Sequence, residues 1–260
     1  TTERVRQELL IQELFIPGKA KTIYSHVDRM IVGGAVPHGT IQLEAGEELR
    51  ATYFLERREM GVINIGGEGT VNVDGEEYSL EFKDCIYIGM GSKDIVFSSS
   101  DPAKPAKFYF NSAPAHKQYP TTRIGLSEAD AQHLGSPVQC NERTIHKFIH
   151  PQGAQSCQLV MGLTELKPGS VWNTMPTHTH DRRMEVYLYL DVADDAVVFH
   201  YAGLPDETRH VVMRNEEAVI SPSWSIHSGC GTQNYAFIWG TAGENQEFND
   251  MDAVAMDDMK

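Results

Sequence analysis

The sequence predicts an all-β chain folded as two jelly-roll β-barrels in tandem, with short flanking helices. Two observations carry the expectation. The first is a ladder of short alternating runs between tight turns. Val71 and Val73 alternate with polar residues, Asp74-Gly75 marks a two-residue hairpin, Tyr78, Leu80 and Phe82 alternate again, and Ile86 and Ile88 lead into Gly89. Short strands with turns at such spacing are the texture of a β-sandwich or barrel. The second is a repeat. Glu56-Arg57-Arg58-Glu59-Met60 precedes an apolar strand, and Asp181-Arg182-Arg183-Met184-Glu185 does the same about 125 residues later, close to half of the 260-residue chain.

Composition sets the limits. The hydrophobic fraction of 41% and the aromatic fraction of 9% suit a globular protein with a real core. No apolar run approaches the ~20 residues a membrane helix needs, and the first residues carry no apolar signal core. A formal charge of −14 argues against nucleic acid and anionic membranes as partners, because both need a concentrated basic surface. A small anionic substrate would need a local island of positive charge. Cys85, Cys140, Cys157 and Cys230 are scattered, with no Cys-x-x-Cys, which fits a reducing cytoplasm.

In chain order, residues 1–16 carry Val5, Leu9, Leu10, Leu14 and Phe15 at helical spacing and predict a short helix ending before Pro17-Gly18. Asp28–Pro37 and Ala51–Leu55 read as strands. Residues 101–120, rich in Pro and Ala, and the polar stretch 121–145 read as the crossover between barrels, with a helical hint at Leu126–Leu134. The division predicted is 1–135 for the first barrel, with the helix, and 136–260 for the second. In the second, strands are expected at 157–166, 171–176, 185–190, 196–201, 210–213, 217–220 and 236–240. His146 and His150 lie in extended chain and read as ordinary polar positions. The acidic tail from Gly243 is a solvated terminus or, through Glu244, Asn245 and Gln246, a flap over the barrel mouth.

The chemistry concentrates at Thr174–Glu185. His178 and His180 sit two apart, so on a strand their imidazoles share a face. Asp181–Met184 has the length of a hairpin turn, and a return strand from Glu185 would bring a carboxylate opposite the histidines. His227 follows the Pro/Ser turn of Ser221–Ser225. Three imidazoles and one carboxylate form a competent first shell for a divalent transition metal. The pattern His-x-His-x4-Glu with a later His resembles the metal site of cupins, which makes the chain a candidate bicupin. The first repeat has no His-x-His before its Arg-Arg pair, and His26, His38 and His116 lack ligand spacing. It is expected to carry no metal.

Longer stretches extend the likeness. Phe54–Gly67, Leu163–Gly169, Trp172–Tyr187, Ile220–Gly229 and Gly243–Gln246 resemble the 5-keto-4-deoxyuronate isomerase family, nearly end to end. That resemblance implies a zinc-dependent aldose–ketose isomerase acting on 5-dehydro-4-deoxy-D-glucuronate. It implies one zinc per subunit on His178, His180, Glu185 and His227, and a homohexamer. Such chemistry moves a proton between adjacent carbons while charge develops on oxygen, so it needs a base and a charge stabiliser. Glu185, Tyr187 and Glu244 are the catalytic candidates, with Tyr189 and His200 as alternatives. Arg182 and Arg183 are candidates for the substrate carboxylate, ahead of Arg143 and Lys147. Trp172, Trp224 and Trp239 are candidate pocket walls, Trp172 and Trp224 being the two assigned to substrate. Two rival readings use the same residues: an Fe(II) cupin dioxygenase, and a sugar-binding bicupin without turnover.

Overall fold

A computed structural model describes residues 1–260 and shows an almost entirely β chain. The one α-helix, Thr2–Leu9, starts on the Thr1 side chain, which accepts from the Arg4 N–H. No helix is long and apolar enough to cross a membrane.

The chain divides into two compact units. The first comprises residues 14–129 and 148–160. Its larger sheet runs, in spatial order, Thr122–Ile124, Cys85–Ile88, Arg58–Asn64, Phe108–Pro114, Ile31–Ala35 and Ala20–Tyr24; its smaller runs Thr40–Gln42, Ile95–Ser99, Gly69–Val73 and Glu76–Leu80. The expected Asp74-Gly75 hairpin forms, with both residues at positive φ, as a two-residue turn matched to strand twist requires. Phe54, Phe97, Phe108 and Phe110 fill the core with Val62, Ile86 and Ile88.

The second unit comprises residues 1–13, 130–147 and 161–260. Its larger sheet runs Leu10–Ile11, Ala218–Ser221, Arg183–Leu190, Ala236–Gly243, Val160–Leu166, Arg143–Ile149 and Asp130–Leu134; its smaller runs Trp172–Asn173, Ser228–Gly231, Val198–Leu204 and Glu207–Met213. Apart from one extra edge strand, the order repeats that of the first unit. Arg58–Asn64 and Arg183–Leu190 take the same internal place, so the Arg-Arg repeat marks a duplicated strand. In the second copy Glu185 lies opposite Thr241; in the first, Met60 lies opposite Ser112. A core methionine thus stands where the acidic candidate ligand stands.

The two compact units divide the chain differently from a single cut between residues 135 and 136. The N-terminal helix belongs with the second unit, because Leu10 and Ile11 add an edge strand beside Val219 and Ala218. Residues 148–160 belong with the first, where buried Glu59 clips them. Its carboxylate accepts from the N–H groups of Cys157, Gln158 and Leu159 at 2.7–2.9 Å and from the Tyr87 hydroxyl at 2.8 Å. Ala51–Leu55 is a bend rather than a strand, with Phe54 and Leu55 inserted into the core. Within 101–120, Phe108–Pro114 is an internal strand rather than crossover. It is buried on both faces, so no alternation betrays it. The helical hint at 126–134 yields only a 3-10 turn, Leu126–Glu128, and an exposed edge strand.

Glu59→Ala would orphan three backbone donors and a phenol in the interior. It is expected to cost about 3 kcal/mol or more, lowering Tm by roughly 10 °C. A melt within a couple of degrees of the parent would contradict the clip.

Candidate metal centre

The second unit brings all four predicted ligands together, on three chain segments. Glu185 projects from the internal strand Arg183–Leu190, His178 and His180 come from the short segment before it, and His227 lies just ahead of Ser228–Gly231. All four are buried. His227 Nε2 lies 3.1 Å from His178 Nε2 and 3.2 Å from His180 Nε2. Glu185 Oε1 is 3.0 Å from His180 Nε2, and Oε2 is 3.6 Å from His227 Nε2. The three ring centroids are mutually 4.7 Å apart.

The opposite nitrogens explain what this cluster can do. His178 Nδ1 lies 3.1 Å from the Pro176 carbonyl, His180 Nδ1 2.8 Å from that of Asp250, and His227 Nδ1 3.5 Å from that of Ser225. A carbonyl only accepts, so these contacts place the ring protons on Nδ1 and leave three Nε2 lone pairs facing one another and a carboxylate. Acceptors at 3.0–3.2 Å repel unless a cation lies among them. Nitrogen ligands about 2.0–2.1 Å from a tetrahedral zinc stand about 3.3 Å apart, so the residues present fit such an ion. Carbonyl anchoring of the far nitrogen is also how metal-binding histidines are oriented.

Burial lowers the pKa of His178 and takes that of His227 down to about 4, so both rings are uncharged at neutral pH, as ligands must be. Burial works to raise the Glu185 carboxyl, but the neighbouring rings, His227 foremost, outweigh it and hold it well below the usual carboxylate range. A carboxylate held that low is a better ligand than base.

The expected hairpin is not how the ligands meet. His178–Thr179 pairs instead with the tail, His178 opposite Ala253 and Thr179 opposite Asp252. The flap reading of the tail is realised through Asp250 and its neighbours rather than through Glu244. Glu244 is exposed; its N–H donates to the Arg182 carbonyl, and no contact brings its carboxylate to the cluster. Arg182 is committed to the tail, donating to Asp250 at 2.6 Å and Asp252 at 3.1 Å. Arg183 is buried and donates to the Glu247 carbonyl at 2.5 Å and Asn245 Oδ1 at 3.4 Å, its Nη2 lying 3.4 Å from His180 Nδ1. Both arginines brace the tail against the ligands instead of presenting a free fork. Removing residues 249–260 takes away the Asp250 carbonyl beneath His180. It is expected to weaken metal affinity about 10–100-fold in a chelator-competition titration; unchanged affinity would contradict this bracing.

Other candidates divide. Tyr187 is buried, its ring 5.9 Å from His227 and its hydroxyl 2.8 Å from Thr174 Oγ1. Burial, then the Glu185 charge, raises its pKa well above the ordinary value, so the phenol stays protonated and acts as a donor rather than a base. His200 is fully buried, bonded to Tyr189 at 2.9 Å and Ser221 at 3.2 Å, and burial pushes it down to about 3. Trp224 is 51% exposed. Trp172 stacks on Tyr201, and buried Trp239 donates to Thr164. His146 pairs with Glu165 and Lys147 with Asp130.

Arg143, a secondary candidate from sequence, gains weight. It is buried, donates from Nη1 to the Asn141 carbonyl at 3.0 Å, and has no carboxylate partner. Burial lowers its pKa, while its charge interacts with Tyr187 and Tyr235. Buried arginines are normally paired. Thr241 Oγ1, opposite Glu185, and Asn173 Oδ1 are also buried without hydrogen-bond partners. No local pattern marks either.

The chain is similar to known proteins over its whole length. Curated relatives named 4-deoxy-L-threo-5-hexosulose-uronate ketol-isomerase include one from Lachnoclostridium phytofermentans, 61% identical over all of this chain and 95% of the relative. Others come from Caldicellulosiruptor bescii, at 58% over all of this chain and 95% of the relative, and Escherichia coli SE11, at 55% over all of this chain and 94%. Among solved structures, an IolB-like protein from Salmonella typhimurium superposes with TM-score 0.73 at 14% identity, over 92% of this chain and 94% of that one. The oxalate decarboxylase of Lactobacillus farciminis does so with TM-score 0.62 at 8%, over 91% and 83%. These two likenesses bear on the fold, which is of the cupin type. A model of the KduI/IolB family matches residues 9–258, and with full-length relatives above half identity the chain belongs to that family.

Proposed function

We propose that this chain is a zinc-dependent ketol-isomerase. It would convert 5-dehydro-4-deoxy-D-glucuronate to 3-deoxy-D-glycero-2,5-hexodiulosonate, in the cytoplasmic breakdown of unsaturated uronates released from pectin, as a homohexamer with one zinc per subunit. The observation that carries the reading is the convergence of three Nε2 lone pairs and the Glu185 carboxylate on one buried point, in a chain whose full-length relatives bear that activity as their name.

His178, His180, Glu185 and His227 would hold the ion. When bound, it would supply Lewis-acid neutralisation of the charge that develops on the substrate oxygen during isomerisation. Tyr187, kept protonated, donates a hydrogen bond toward that oxygen. Arg143, rather than the tail-bound Arg182 and Arg183, takes the substrate carboxylate. The tail excludes water by lying across the histidines. The rival of a dioxygenase uses the same ligands and is separated by oxygen uptake.

The test is proton NMR of the purified protein with 5-dehydro-4-deoxy-D-glucuronate in D2O. Conversion with exchange at the reacting carbon, lost on chelation and restored by zinc, is expected. Oxygen consumption, or binding without turnover, would overturn the reading.

A further inference from the structure

The first unit has its own cavity, of about 230 Å³, at the level of the duplicated Arg-Arg pair. Arg57, Arg58 and Tyr24 line it, with Glu48 and an apolar floor that includes Leu49 and Phe54. Arg58 is the counterpart of Arg183 in the strand repeat, so the cavity lies at the end of the barrel where the second unit carries its ligand cluster.

Arg58 is only 6% exposed. Its Nε donates to Ser112 Oγ at 3.1 Å, and Nη2 to the carbonyls of Arg29 at 2.5 Å and Ser112 at 2.7 Å. Nη1 takes part in none of these bonds, and no carboxylate pairs with the guanidinium. Burial lowers its pKa to about 10, so it remains charged at neutral pH. Its carbon lies 5.9 Å over the Tyr24 ring. Arg57 holds the carbonyls of Leu49 and Arg50 and has only a loose contact of 3.7 Å with Glu56. A buried cation lacking a counter-ion beside a second cation is costly as it stands, and an incoming anion relieves that cost. Of the two lining cations Arg57 has Glu56 as a partner at 3.7 Å and Arg58 has no carboxylate, so Arg58 is the charge that a monoanion would pair. The volume is below that of drug-sized pockets and suits a single small molecule.

We propose that this cavity is a second ligand site that binds a small monocarboxylate of about the size of one sugar, its carboxylate on Arg58 and Arg57 and its body on Leu49 and Phe54. The site needs no metal and lies entirely within the first unit.

The experiment is calorimetric titration of the full-length protein with D-glucuronate and, in a separate arm, with inorganic phosphate. It is repeated on His178→Ala, which disables the metal centre without touching the cavity, and on that background with Arg57→Gln or Ala51→Phe. Arg57 is exposed, and Ala51→Phe fills the cavity while removing no hydrogen bond, so neither depends on losing the buried Arg58. D-glucuronate is expected to bind His178→Ala with one equivalent per chain, and each added substitution to weaken it about tenfold or more. Absence of binding in His178→Ala, binding indifferent to both added substitutions, or binding of phosphate but not glucuronate would each overturn the proposal. Because the readout is made in a chain with a disabled metal centre, its failure is separate from failure of the isomerase reading.

Discussion

His227→Ala yields a folded protein that no longer keeps its metal ion and loses activity by about 10³-fold or more, several kcal/mol of transition-state stabilisation. His227 Nε2 is the hub of the cluster, within 3.2 Å of both other imidazoles and 3.6 Å of Glu185. Removing it leaves three donors that no longer surround a point. The fold survives because the unit is held elsewhere. Val186, Leu188, Ile220, Ile238 and Ala242 are buried along the same sheet, and Arg183–Leu190 is paired on both sides. Metal content, circular dichroism and turnover on one preparation decide the matter. Collapse of the fold would make the ion structural, and retained stoichiometric metal would remove His227 from the ligand set.

Arg143→Gln raises KM by roughly 10²-fold or more, with metal content unchanged. A charge-assisted contact is worth about 1.5–3 kcal/mol, and a bidentate one more. Arg143 and Arg183 are both buried without a carboxylate partner, but Arg183 is held by the Glu247 carbonyl and Asn245, whereas Arg143 donates only to the Asn141 carbonyl and its charge reaches Tyr187, beside His227. Arg182→Ala is expected to leave KM near the parent's, because that side chain is already spent on Asp250 and Asp252. A rise in KM on losing Arg182, with none on losing Arg143, would return the carboxylate to the metal loop. Steady-state kinetics on both variants make the comparison.

The identity of the four candidate ligands was legible because spacing is local chemistry: two histidines two apart, a glutamate five further, a histidine after a Pro/Ser turn. The path of the backbone between them was not. Asp181–Met184 looks like a hairpin turn, yet the strand carrying His178 pairs with residues 252–253, some 70 positions away, and nothing in the tail's composition announces that pairing. The same limit hid the roles of Arg182 and Arg183, whose partners Asp250, Asp252 and Glu247 all lie in the tail. Arg143 ranks low on sequence because a lone arginine in a polar stretch looks solvated; only the sheet buries it. The duplication was visible in the Arg-Arg repeat. The exchange of segments between units was not, since it depends on Leu10 and Ile11 meeting Val219 and Ala218 and on one buried carboxylate, Glu59, reaching residues 157–159.

Anomalous diffraction recorded on either side of the zinc absorption edge, from crystals of the protein purified without chelator, bears most directly on the metal centre. A single zinc peak per chain, within ligand distance of His178, His180 and His227 Nε2 and of the Glu185 carboxylate, is the predicted result. No peak there, or a peak at the iron edge instead, would contradict it.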